Sequence, residues 1–286
     1  MRSGFAAVAG RPNVGKSTLV NALCGDKVAI VASSPHTTRR RIFGVANGDD
    51  HQLVLADMPG FQRPIDPLTA RMQRTVDSSF EDVDLVLLVV SARDRIGAGD
   101  RFVARRVFAL GVPVVIALNK VDRLKPAHIA SQMKVAATLG DFHALHPVSA
   151  KTRDGIGELR DDLVSLLPEG QLYFSRETAT DLTDTERIAE LVREKALQLT
   201  REEVPHSISV EIDELTEKLV RAFVLVETES QKQILVGKRG AMIREIGVRA
   251  RPEIEALLGH TIFLELVVKV RPRWRRDERT LERLGL

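Results

Sequence analysis

The chain has 286 residues, 44% hydrophobic and 28% charged, room for one large domain or two ordinary ones. Its single cysteine, Cys24, excludes an internal disulfide framework, and with no apolar run of membrane-spanning length and no signal peptide before the first strand, the expected location is a reducing cytoplasm. Net charge is only +3 but unevenly placed: residues 231–286 hold 13 Lys/Arg against 7 Asp/Glu, a balance of +6, so this end is expected to meet a polyanion.

Phe5-Ala6-Ala7-Val8-Ala9 is a short apolar run that reads as a buried parallel strand. Gly10-Arg11-Pro12-Asn13-Val14-Gly15-Lys16-Ser17-Thr18 follows, a G-x-x-x-x-G-K-S phosphate loop. Apolar residues at helical spacing come next, through Leu23. Strand, glycine turn and helix N-terminus together make an anion site, because backbone N–H groups and the helix dipole converge on it. Lys16 is expected at the β- and γ-phosphates and the Ser17 hydroxyl on Mg²⁺. Cys24, just after this helix, reads as a packing residue rather than a nucleophile.

Residues 27–39 read as a loop, Ser/Pro/Thr-rich from Ser33 on. After a phosphate loop, such a segment can supply a hydroxyl to Mg²⁺ and an N–H to the γ-phosphate, and be released on hydrolysis. Thr38 is the first choice for that hydroxyl and Thr37 the second. Residues 41–46 and 52–56 flank Asn47-Gly48-Asp49-Asp50, a hairpin with a turn-forming tip. Its second strand runs into Asp57-Met58-Pro59-Gly60, a D-x-x-G. Asp57 is expected to hold Mg²⁺ through water and the Gly60 N–H to sense the γ-phosphate. The residue after this glycine often orients the attacking water as Gln. Here it is Phe61, so hydrolysis is expected to be slow or to draw on backbone, a cation or a partner. Gln62 is adjacent but expected to point elsewhere.

Residues 84–90 and 113–118 are apolar enough for central parallel strands. The second leads into Asn119-Lys120-Val121-Asp122, an N-K-x-D. The Asp122 carboxylate can accept from both N1–H and the exocyclic amine of guanine; adenine offers neither donor, which allows discrimination of roughly 10⁴–10⁵. Asn119 is expected to tie this loop to the phosphate loop, and the Lys120 stem to cover the base. Ser149-Ala150-Lys151 follow the last strand, with the Ala150 N–H expected at guanine O6. Lys16, Thr38, Asp57, Gly60 and Asn13 are the candidate catalytic residues. In GTPases that use K⁺ in place of an arginine finger, an Asn occupies the position of Asn13, so Asn13 is either a K⁺ ligand or a loop brace.

Residues 155–167 read as a closing helix stopped by Pro168. The expected organisation is a nucleotide domain at 1–168, a linker at 169–183 and a second domain at 184–286. The pattern restarts with a capped helix from Asp184, strands at 207–212 and 218–227, two short helical stretches around Gly237-Lys238-Arg239-Gly240, and a strand at 261–270. A G-x-x-G between helices in an α-β-β-α-α-β order is how a KH domain clamps single-stranded nucleic acid. Ile234, Val236, Ile243 and Ile246 are read as groove or as core, and Arg244 lies beside them. Arg271-Pro272-Arg273-Trp274-Arg275-Arg276 sets the only tryptophan among arginines. Trp274 either stacks on bases with Arg271 and Arg273 on phosphates, or packs against the last strand.

On these motifs the whole chain resembles the Era family, bacterial GTPases with a C-terminal KH domain. The resemblance implies an α/β P-loop GTPase domain followed by a smaller α+β KH domain, with GTP and GDP as ligands and Mg²⁺ as cofactor. It further implies binding of the 3′ end of 16S rRNA, a role in assembly of the 30S ribosomal subunit, and peripheral contact with the inner face of the cell membrane. A membrane-associated regulatory GTPase, its basic tail meeting lipid, is the alternative from another class. A monomer is expected.

Overall fold

The computed structural model describes residues 1–32, 37–61 and 64–286. Ser33 to His36, in the loop read above, and Gln62 lie outside the described residues. The chain divides into two compact units. One comprises Met1–Ala29, Thr38–Arg63 and Met72–Asp181, the other Ile30–Thr37, Pro64–Arg71 and Leu182–Leu286.

The first unit is built on a six-stranded sheet in the order β2-β3-β1-β4-β5-β6. Strands β1 (Arg2–Ala9), β3 (His51–Asp57), β4 (Leu85–Ser91), β5 (Val114–Asn119) and β6 (Ala144–Pro147) are parallel, and β2 (Ile42–Asn47) pairs antiparallel with β3 at the edge. Every residue of β4 and β5 is buried, as strands covered on both faces must be. Helices α1 (Lys16–Cys24) and α5 (Ile156–Ser165) bury Leu19, Val20, Leu159 and Leu163 against one face. On the other face, α2 (Pro67–Ser78), α3 (Ala98–Phe108) and α4 (Pro126–Ala136) bury Val76, Val103, Ala104, Val107 and Ala136. Parallel strands bring their carboxyl ends to one edge, where ligands of such sheets bind. That edge carries Gly10, Asp57, Asn119 and the loop after β6.

The stretch expected as a linker is pinned to this unit for most of its length. The Gln52 side chain accepts from the N–H groups of Tyr173 and Phe174 at 2.8 and 3.0 Å. Val45 donates to Ala179 at 2.8 Å, and the Tyr173 ring meets Phe5 edge-on at 4.6 Å. These long-range partners cannot be seen in a polar, turn-rich string.

The second unit runs α6 (Asp184–Leu199), a short α7 (Val204–Ser207), β7 (Ser209–Leu215), β8 (Leu219–Val226), α8 (Glu229–Val236), α9 (Ala241–Leu258), β9 (Phe263–Val270) and α10 (Glu278–Arg283). Its sheet order is β7-β8-β9, antiparallel then parallel. Thr183 and Glu186 close α6 with a reciprocal capping box. A buried charged turn of α6 holds Val31 and Thr37. Arg193 donates to the Thr37 carbonyl and Glu194 accepts from the Val31 N–H at 2.8 Å. Residues 64–71 are held in the same unit, with Arg71 donating to the Leu286 carbonyl at 2.6 Å and pairing with Glu278. Among the described residues no helix is long and apolar enough to cross a membrane.

Candidate functional site

The phosphate loop leaves β1 at Gly10 and enters α1 through Gly15, whose φ is +99°. A Cβ on Gly15 would lie 2.4 Å from Asn119 Nδ2, so glycine is required both for the turn and for the contact. Asn13 also takes a left-handed φ, +63°, which Asn tolerates. Its carbonyl accepts from the Lys120 ammonium while its side chain faces solvent. Arg11 is braced by Asp100 at the start of α3, at 2.7 Å. The Lys16 ammonium is buried against the Gly10 and Arg11 carbonyls, both at 3.2 Å. Burial lowers its pKa to about 8, opposed by the Asp57 charge.

Three oxygens from distant parts of the chain converge beside Lys16. Ser17 Oγ donates to Asp57 Oδ2 at 2.6 Å, and Thr38 Oγ1 lies 3.0 Å from Ser17 Oγ and 3.2 Å from Asp57 Oδ2. Thr38, not Thr37, supplies the hydroxyl here. Asp57 Oδ1 is buried with no hydrogen-bond partner among the described residues. A buried carboxylate oxygen left over beside two hydroxyls is a donor set that fits a hard divalent cation. Burial, the largest influence, raises the Asp57 pKa, while Ser17, Lys16 and Thr38 oppose it. Met58 and Pro59 are buried behind it, and the Gly60 backbone lies against Pro12, where an added Cβ would stand 2.9 Å away.

The base loops interlock with the phosphate loop. Asn119 Nδ2 donates to the Val14 carbonyl at 3.0 Å, and its Oδ1 accepts from the Lys120 and Ala150 N–H groups at 2.8 and 3.0 Å. The Ala150 N–H, expected to face a base, is thus engaged in orienting Asn119. Ser149 Oγ donates to Asp122 Oδ1 at 3.1 Å and sets the carboxylate's direction. Val121 opens a short 3₁₀ turn that carries Asp122, whereas Lys151 is exposed and Thr18 half-buried.

Phe61 turns into the domain rather than toward the site. Its ring stacks on Phe80 at 5.9 Å, meets Phe102 edge-on at 6.3 Å, and lies under the Arg106 guanidinium at 5.5 Å. The Phe61 ring itself cannot orient a water by hydrogen bonding.

In the second unit, α8 and α9 flank Gly237-Lys238-Arg239-Gly240. Gly237 has φ +71°, and a Cβ there would be 2.8 Å from Met242. Lys238 and Arg239 are exposed. Beside them Ile243, Arg244, Gly247, Val248, Arg251 and Phe263, with Leu264 and Leu266, line an open groove of about 480 Å³. Ile234 is exposed and Val236 half-buried, but Ile246 is wholly in the core. The groove's most exposed aromatic, Phe263 at 67%, and Val248 escaped the sequence reading. Phe263 opens β9 and Val248 lies on α9, and nothing in local spacing sets either apart from a core residue.

Trp274 corrects one expectation. It is 0% exposed, and its indole N–H donates to the Ser207 carbonyl at 2.8 Å. It anchors the tail and cannot stack on a base. Arg275 pairs with Glu227 at 3.0 Å, Arg271 is half-buried, and Arg273 is exposed at φ +53°.

Comparison with known proteins matches residues 5–120 to the family described as 50S ribosome-binding GTPase, and residues 203–275 to the KH domain. The chain is 40% identical over 289 residues to GTPase Era of Lactobacillus delbrueckii subsp. bulgaricus, covering 99% of this chain and 96% of that one. It is 41% identical over 290 residues to GTPase Era of Heliobacterium modesticaldum, covering 100% and 97%. Among solved structures it is similar to Aquifex aeolicus Era bound to GDP and aluminium fluoride, with TM-score 0.95 and 36% identity, covering 100% of this chain and 99% of that one. It is also similar to Era in complex with MgGDPNP and nucleotides 1506–1542 of 16S ribosomal RNA, with TM-score 0.93, 36% identity and the same coverage.

Proposed function

The chain belongs to the Era family of GTPases, and from that premise we propose that it is a GTP-gated clamp for the 3′ end of 16S rRNA that assists assembly of the 30S subunit. The observation that carries the nucleotide half is the convergence of Ser17, Thr38 and Asp57 beside Lys16. In this reading Ser17 and Thr38 would hold Mg²⁺ directly and Asp57 through water, and the ion would supply positive charge against the nucleotide phosphates. Lys16 pairs with the same oxygens, and the Gly60 N–H donates to the γ-phosphate. Asp122, aimed by Ser149, accepts both donors of guanine. Asn119 fixes the distance between base and phosphate loops.

Hydrolysis is slow in this reading because Phe61 is seated on Phe80 and Phe102. The solvent-facing Asn13 amide, on a backbone held by Lys120, is suited to recruit K⁺ as the missing positive charge. The Mg²⁺ and RNA ligands are those of the similar Era complex with MgGDPNP and 16S ribosomal RNA. The clamp itself is Gly237–Gly240, with phosphates on exposed Lys238 and Arg239 and bases in the groove of Ile243, Val248 and Phe263. Gating is supported by the path of the chain. Thr38 sits with Ser17 and Asp57, whereas Thr37, its neighbour in sequence, is held by Arg193.

The test is the double substitution K238D/R239D, which keeps both glycines. It should abolish binding of a 16S 3′-end strand and leave GTP turnover intact. Unchanged RNA affinity would remove the clamp from the reading. Binding to anionic vesicles with no RNA binding would favour the membrane-regulatory alternative.

A further inference from the structure

The nucleotide unit carries a second basic surface that neither the GTP site nor the clamp uses. Residues 93–106 contain Arg93, Arg95, Arg101, Arg105 and Arg106, no lysine, and only Asp94 and Asp100 as acids. Asp100 is consumed by Arg11 and by the Gly97 N–H at the start of α3. Arg106 is paired with Asp77. Arg93, Arg95, Arg101 and Arg105 are exposed, and no ion pair engages them among the described residues. Arg101 and Arg105 are one helical turn apart on the solvent face of α3. Their Cβ atoms are therefore about 5–6 Å apart, close to the separation of successive phosphates along a nucleic-acid strand.

We propose that this face of α3 docks the phosphate backbone of double-helical RNA, giving the protein a contact on structured rRNA separate from its single-strand clamp. The class of partner follows from the chemistry. Two unpaired guanidinium groups on the solvent face of α3, Arg101 and Arg105, with Arg93 and Arg95 exposed in the loop that leads into it, match a polyanion, and Arg suits phosphate through its planar fork. The one exposed aromatic, Phe102 at 46%, is already engaged by Phe61 and Arg106, so the surface reads backbone and not sequence. A lipid surface needs a broad apolar face beside the charges. Here the apolar side of α3, Val103, Ala104 and Val107, is spent on the core.

The inference rests on the rRNA-binding reading, so the full chain is assayed on two probes. One is a blunt 16-base-pair RNA duplex without single-stranded ends, and the other is the 16S 3′-end strand. The variant is R101Q/R105Q, and Arg106 is left in place because it seats Phe61. Control R160Q removes one exposed charge from α5, on the opposite face of the sheet. For the duplex, the slope of log affinity against log salt should fall by about two in R101Q/R105Q and stay unchanged in R160Q. Strand affinity measured with saturating GTP analogue should be unchanged in both. An unaltered duplex slope in R101Q/R105Q would overturn the docking surface, whatever the strand does. So would wild-type binding to phosphatidylglycerol vesicles that is lost in R101Q/R105Q while duplex binding is not. Failure of the strand alone would count against the clamp and leave the duplex result to decide this surface.

Discussion

Ser17 Oγ and Thr38 Oγ1 stand 3.0 Å apart, both within hydrogen-bonding distance of Asp57 Oδ2. The two hydroxyls come from a helix N-terminus and from a loop 21 residues later, so their meeting is a property of the fold. T38A should lower GTP hydrolysis by about 10²-fold, the usual cost of one charge-stabilising contact in a transition state. GDP affinity should change little, because Thr38 serves the γ-phosphate. Phosphate release and nucleotide titration separate the two effects.

Asp122 reads the base through two charge-assisted hydrogen bonds. D122N should weaken GTP binding by roughly 10²–10⁴-fold. It should also gain affinity for xanthosine triphosphate, whose 2-oxo group accepts from the new amide where guanine presents a donor. Competition between the two nucleotides measures the exchange. Retained guanine preference would mean that Asp122 does not face the base.

Trp274 is structural. W274A should destabilise the protein by about 3–5 kcal/mol through lost packing. W274F keeps most of the volume and loses the indole bond to Ser207, so it should fold and bind the 16S strand with unchanged affinity. F263A should fold equally well and lose roughly 5–150-fold in strand affinity, the worth of one stacked base. If W274F lost the strand and F263A kept it, the assignment of the two aromatics would be reversed.

Cys24 packs over Gly44, and its thiol is pushed up to about 12 by burial first, then by Asp26 and Asp57. In the folded protein it stays protonated at pH values where the unfolded thiol, near 9, has ionised. The native state then binds more protons than the unfolded one, so this group makes stability fall as pH rises above about 9. Iodoacetamide at pH 8 should label Cys24 slowly in the native protein and rapidly in denaturant. Rapid native labelling would show the thiol to be accessible and its packing role wrong.

The nucleotide site was legible because its chemistry is local. Each of G-x-x-x-x-G-K-S, D-x-x-G and N-K-x-D places its own backbone and side chains at a strand end, and parallel strands gather those ends. What resisted reading were contacts closed over long separations. The Ala150 N–H donates to Asn119 Oδ1, 31 residues away, a bond that no local pattern shows. Trp274 among arginines could be read as stacking or as packing because the Ser207 carbonyl that holds its N–H is 67 residues away. Ile246, open to a groove or a core reading, is core, and Phe263, not singled out in the sequence, lines the groove. Which apolar residue of α9 or β9 faces the core depends on how helix and sheet pack, and spacing alone leaves that open. The segment after Pro168 read as loose because Gln52, which fastens it, lies on a hairpin more than a hundred residues earlier.

The central claim is that nucleotide state gates the RNA clamp. It is tested most directly by the affinity of a 16S 3′-end strand at fixed salt, first with a non-hydrolysable GTP analogue and Mg²⁺, then with GDP. Fixed salt matters because phosphate contacts make affinity strongly salt-dependent. Tight binding with the analogue and weak binding with GDP is the expected result. Equal affinity in the two states would contradict the gate and leave a GTPase and an RNA module that share a chain without communicating.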